Sequence, residues 1–136
     1  MRHRVGGKKL NRHYNERQRL YTQLLTAIID HRKITTTQAK AQAIRPEIEK
    51  LISMARNAPT NAQIEAAGEG ERDAQRIRRA EVFRRALMEL GGSKRAAHRL
   101  LEVAPEYRDR PGGYVRLTKL GPRKGDAAEM VVIELV

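Results

Sequence analysis

Apolar side chains recur along this chain at spacings that switch between helical and alternating, and the switches divide it into elements. Leu20, Leu24 and Ile28, with Tyr21, Leu25 and Ile29 beside them, share one face of a helix predicted from about Glu16 to His31. Asn15 followed by Gln18 has the form of a capping pair at its start. The β-branched run Ile34, Thr35, Thr36 and Thr37 reads as a strand over Lys33 to Thr37, whose last Thr can cap the next helix. In that second helix Ala43, Ile44, Ile48, Leu51, Ile52 and Ala55 share a face to about Arg56, and Pro46, lacking a donor, predicts a kink and not an end.

From Asn57 to Gln75 the pattern lapses into Pro59, Gly68, Gly70 and small polar residues, which predicts a loose excursion. Periodicity returns with Ile77, Ala80, Phe83, Leu87 and Leu90, stops at Gly91-Gly92, and resumes after Ser93 in a short helix through Leu100 and Leu101 to Ala104, closed by Pro105. Beyond Arg110-Pro111-Gly112-Gly113 come two β-rich stretches, Tyr114 to Leu120 and Met130 to Leu135, whose connection displays Arg123 and Lys124. The expected fold is α+β, a two-layer domain in the order α-β-α-α-α-β-β, with a small mixed sheet carrying helices on one face. Residues 1–14 form a basic N-terminal arm and 15–136 a single domain with the loose segment at about 57–75. No internal repeat is visible.

Charge supplies what the pattern leaves out. Of 136 residues, 28 are Lys or Arg and 16 are Asp or Glu, a formal net charge of +12, which points to a polyanionic partner. Before Asn15, Arg2, Arg4, Lys8, Lys9 and Arg12 face no acid at all. Such an arm, with Gly6 and Gly7 in it, is expected to order on phosphates. No apolar run approaches the roughly 18 residues that span a membrane, and the start has no secretory pattern, so a soluble, cytosolic protein is expected. The absence of Cys removes thiolate chemistry and Cys-ligated zinc.

Sites for catalysis are not apparent. His3, His13, His31 and His98 have no metal-ligand spacing. Ser53 and Ser93 lie in no nucleophile turn, and Gly6-Gly7-Lys8-Lys9 lacks the spacing of a phosphate loop. The carboxylates Glu47, Glu49, Glu65, Glu81 and Glu89 lie among Arg and Lys on polar helix faces. An RNA-processing enzyme would need convergent titratable groups, and a DNA-compacting protein a groove-reading helix or apolar wedge. Neither is visible. With aromatics at only 4%, shape and backbone contact to RNA are favoured over a base-stacking sheet.

Several motifs together resemble a known family: Met1-Arg2-His3-Arg4, Leu10-Asn11-Arg12, Thr36-Thr37 with Ala39-Lys40-Ala41, Leu51-Ile52, and Gly112-Gly113-Tyr114 through Ile133-Glu134-Leu135. The chain is similar to bacterial ribosomal protein seventeen of the large subunit, over Met1 to about Arg56 and Pro111 to Val136. The resemblance implies a structural, non-catalytic protein of the ribosome, without cofactor or small-molecule substrate. Its partners would be large-subunit ribosomal RNA and neighbouring large-subunit proteins near the peptide exit. Family residues carry over to Arg2, His3, Arg4, Asn11 and Arg12. With the remaining basic positions, the expected RNA contacts are completed by Lys8, Lys9, His13, Arg17 and Arg19 on the arm and first helix, and by Arg116, Lys119, Arg123 and Lys124 on the hairpin. The chain departs from the family at Glu16, where a His is usual, and at Thr22-Gln23, where an Arg-Asn pair is usual.

Overall fold

Three buried residues spaced along one stripe, Leu25, Ile28 and Ile29, seat the first helix, α1 (Tyr14–His31), on the core. The structure is a computed structural model, and it describes residues 7–136. The helix starts two residues before the expected Glu16, because the reciprocal cap is made two residues earlier than Asn15 and Gln18. His13 is the N-cap, and its backbone N–H donates to the Glu16 carboxylate at 3.4 Å. That carboxylate also lies at the positive end of the helix dipole. α1 ends at Arg32, which adopts φ 61°, unusual for a side chain with a Cβ. Its guanidinium forks onto Glu106 at 2.6 and 2.9 Å, tying the helix end to a distant loop.

Strand β1 (Lys33–Thr37) and helix α2 (Gln38–Ala55) follow without a linker; Thr37 stands at the expected N-cap position, but its side chain makes no capping hydrogen bond. α2 runs through Pro46 unbroken. Pro46 and Gln42, whose carbonyl loses its donor, are both exposed, so water can take that bond.

The segment 57–75, expected to be loose, holds the short helix α3 (Asn61–Ala66) and the first turns of α4 (Glu69–Glu89). Thr60 Oγ1 accepts from the Gln63 backbone N–H at 3.3 Å while Gln63 Oε1 accepts from the Thr60 N–H at 3.0 Å, a closed capping box. α4 therefore begins well before Ile77. Ile77 itself is 59% exposed and Ala80 is exposed, so the apolar face expected there reaches the core only from Phe83 onward, through Ala86, Leu87 and Leu90.

Gly91 stops α4 in a left-handed conformation at φ 61°, and a Cβ on it would stand 2.6 Å from Thr22 Cγ2. Thr22 is thus packed beneath the turn. α5 (Lys94–Val103) is capped by Ser93, whose Oγ accepts from the Ala96 N–H at 3.3 Å, and passes into a 3-10 turn at Ala104–Tyr107 that contains Pro105.

The hairpin strands are β2 (Val115–Pro122) and β3 (Glu129–Leu135). The sheet has the order β1-β3-β2 and is wholly antiparallel, which corrects the mixed sheet expected from sequence. The reason is that β3, with Val131, Val132 and Ile133 all buried, takes the centre. β1 and β2 do run in the same direction, but β3 lies between them and opposes both. Alternation then sends Ile34 and Thr36, Val131, Ile133 and Leu135, and Val115 and Leu117 toward the helices. The other face carries Thr35, Val132 and Thr118 in one row.

Between the sheet and α1, α2 and α5, the largest enclosed side chain is Tyr114, edge-on to Tyr107 with ring centroids 5.4 Å apart. The Tyr114 hydroxyl donates to the Arg110 carbonyl at 3.1 Å, which also accepts from the Arg56 guanidinium. Burial of the Tyr107 ring pushes its phenol pKa upward. The α-β-α-α-α-β-β order is therefore present, with α3 and the 3-10 turn as short additions.

Candidate nucleic-acid interface

Three of the expected RNA contacts, Arg2, His3 and Arg4, lie outside the described residues. The rest of the arm is tied to α1 at its base. The Tyr21 hydroxyl donates to the Lys8 carbonyl at 3.2 Å, and a turn closes from the Arg12 N–H to the Lys9 carbonyl at 3.1 Å. Leu10 and Asn11 form its centre with φ values of 53° and 51°. Asn tolerates this region, which gives Asn11 a backbone role beside any contact to RNA. Lys8, Lys9, Arg12 and His13 are all exposed.

On the first turns of α1, the Arg17 guanidinium donates to the Arg12 carbonyl at 3.3 Å and lies 5.8 Å from the centre of the exposed Tyr14 ring. Part of its capacity is thereby used in holding the arm. Arg19 is exposed and makes no ion pair among the described residues.

The sheet divides the four hairpin cations. Thr37, Met130 and Gly121 face one another across the three strands and mark one end of the sheet. Lys119 lies one register step away, opposite Val131, and the 123–128 loop leaves from this end. Lys8 comes to the same place: a shallow cleft of about 430 Å³ is lined by Lys8, by Thr37, Gln38, Ala39 and Gln42, and by Ala128 and Glu129.

Arg116 lies apart. It faces Glu134 at 3.6 Å in the row Lys33, Glu134, Arg116, near the other end of the sheet. Arg123 is at the loop but is not free. Its guanidinium forks onto Asp126 at 3.0 and 2.6 Å, and Asp126 also accepts from the Ala128 N–H at 3.2 Å. These bonds lower the Asp126 carboxyl from 3.8 to about 2 and raise the Arg123 pKa. Lys124 is left as the exposed cation of the tip without an ion pair among the described residues.

Arg72 and Arg79 of α4, and Arg108 after the 3-10 turn, behave differently. Arg72 donates to the Glu65 and Ala67 carbonyls at 2.9 and 2.7 Å, and Arg79 to the Pro59 carbonyl at 2.7 Å. Arg108 reaches the Arg56 and Ala58 carbonyls and Gln63 Oε1 at 3.2–3.4 Å. These guanidinia hold backbone.

Among the described residues no group of three or more His, Asp or Glu is placed to hold a metal ion, and no helix is long and apolar enough to cross a membrane.

A family model described as ribosomal protein L17 matches residues 20–136. Among curated proteins, the chain is 47% identical over 137 residues to the large ribosomal subunit protein bL17 of Chloroflexus aggregans, covering all of both chains. It is 38% identical over 139 residues to the protein of that name from Kosmotoga olearia, covering 100% of this chain and 93% of the relative. The bL17 protein of Salinibacter ruber is 43% identical over 141 residues, covering 100% of this chain and 59% of that longer protein.

Proposed function

The chain belongs to the ribosomal protein L17 family, and we propose that within the large ribosomal subunit it binds ribosomal RNA through the arm and the adjoining end of its sheet. Membership makes it a structural, non-enzymatic constituent of the large subunit, cytoplasmic within the ribosome. Residues 1–14 are the RNA-binding arm of a single domain, 15–136. The observation that carries this reading is the convergence of Lys8, Lys119 and Lys124 at one end of the sheet, with Lys9 and Arg12 on the adjoining turn. No carboxylate forms an ion pair with any of them among the described residues. Unpaired surface cations gathered on one side are what counterion release from a phosphate backbone requires. Arg17 and Arg19 extend the contact along α1. Neighbouring large-subunit proteins near the peptide exit are the secondary partners.

Deletion of residues 1–12 tests the arm. Binding to a large-subunit ribosomal RNA fragment should weaken and the dependence of log affinity on log salt become shallower, with the thermal transition nearly in place. Loss of folding in the truncated chain would instead assign the arm to the core.

A further inference from the structure

Because α3 lies beside α4 and α5, a groove of about 380 Å³ opens between them, with Ile64, Phe83 and Leu101 in its lining and His98, Arg76 and Arg79 around it. Phe83, the only Phe of the chain, is half-buried, and its ring meets the exposed His98 imidazole with centroids 4.6 Å apart and planes tilted by 42°. Arg79 is anchored on the Pro59 carbonyl. Arg76 is available: its ion pair with Asp73 is long, at 3.7 Å, and both partners are exposed. Glu65 lines the same groove from α3, its carboxylate in no ion pair among the described residues.

We infer that this groove takes one unstacked nucleotide of the bound RNA, its base against Phe83 and His98 and its phosphate on Arg76, an inference that rests on the RNA-binding reading above. Two aromatic rings in contact offer a surface of the kind on which extruded RNA bases stack. The Arg76 cation at the rim complements a phosphate, whereas a purely apolar segment would leave it without purpose. The volume lies in the range of small-ligand sites, about 300–1,000 Å³. Glu65 adds selectivity, since a carboxylate accepts from the exocyclic amino group of cytosine, which uracil lacks. Cytosine and uracil are close in size and stacking surface, so a difference between them reports on Glu65.

The test titrates the full chain with cytidine and uridine monophosphates, following the Phe83 and His98 ring signals by NMR, and measures binding of a cytidine-rich single strand to Phe83→Leu. Leu fills the space without a π face. The expected results are ring shifts at lower cytidylate than uridylate concentration, loss of that preference in Glu65→Gln, and about tenfold weaker strand binding by Phe83→Leu at an unchanged melting temperature. Should Phe83→Leu also lower the melting temperature, His98→Ala on the exposed rim carries the test, with a smaller loss expected. Ring signals unmoved by saturating cytidylate, or unchanged strand binding by a folded variant, overturn the groove assignment. If deletion of residues 1–12 still weakens RNA binding, only the groove has failed; if neither change affects binding, the RNA reading fails with it.

Discussion

In the body built from α1, α2, α5 and the sheet, Ile28, Ile44, Ile48, Ile52 and Ile133 are wholly withdrawn from solvent, whereas in α3 and the first half of α4, Ile64 is buried but Ile77 stands 59% exposed. The body is ordered by apolar burial. The excursion is ordered largely by arginines: Arg72, Arg79 and Arg108 each donate to backbone carbonyls that its irregular turns leave without partners. A count of basic residues is therefore not a count of phosphate ligands. At the arm and hairpin tip, Lys8, Lys9, Arg12 and Lys124 form no ion pair among the described residues, whereas Arg123 is latched to Asp126 and many arginines of the excursion are already engaged.

Matched truncations separate the two regions most strongly. Ile48→Ala should cost about 2–5 kcal/mol, as for a buried aliphatic side chain that leaves a cavity. Ile77→Ala should stay within about 0.5 kcal/mol, as for an exposed position. Urea denaturation of both variants checks this, and equal losses would mean that Ile77 is covered in solution.

Gly91→Ala comes next. It forces a Cβ into left-handed backbone and against Thr22 Cγ2, so a loss of about 2 kcal/mol is expected in the same assay. Thr22→Ala, made in the Gly91→Ala background, should recover the steric part and leave the backbone part.

Arg108→Ala probes the excursion itself. Losing three long hydrogen bonds should cost about 1 kcal/mol, and amide exchange should quicken in residues 57–66 while α1 and the sheet keep their protection. Uniform loss of protection would show that the excursion and body unfold as one unit.

The smallest effect concerns the hairpin latch. Asp126→Asn releases the Arg123 guanidinium and should steepen the salt dependence of RNA binding by up to about one unit of slope. Because the Asp126 pKa is depressed to about 2, the latch's contribution to stability is fully present above the ordinary carboxylate value of 3.8. It is lost as pH falls through about 2, so binding between pH 5 and 8 should show no titration of this group.

Where burial determined structure, the pattern could be read directly. The α+β order, β1 at Lys33–Thr37, the Ser93 cap and the stop at Gly91 all follow from apolar period and turn chemistry. Strand order was less legible, since the hairpin motif fixes that β2 and β3 oppose each other but not which of them meets β1. The cap at His13 escaped because His is a weaker capping signal than Asn15 two residues on. In the segment 57–75, apolar period carried no information, as bonds from Arg79 and Arg108 come from residues 20 to 50 positions away. The candidate site was legible as a set of basic residues. Which of them are free was not: the pairing of Arg123 with Asp126 was the one local signal, three residues apart and readable in the sequence. The Phe83–His98 contact joins two helices and has no such signal.

The cations converging at the arm end of the sheet are proposed to bind RNA, while the clamping arginines of the excursion do not. A salt titration of binding to a large-subunit ribosomal RNA fragment compares Lys8→Ala, Lys9→Ala and Lys124→Ala combined in one chain with Arg79→Ala alone, each checked by thermal melt. The slope should fall by about two to three units for the triple variant at an unchanged melting temperature, and stay unchanged for Arg79→Ala. An unaltered slope in a folded triple variant, or a comparable reduction from Arg79→Ala, would contradict this proposal.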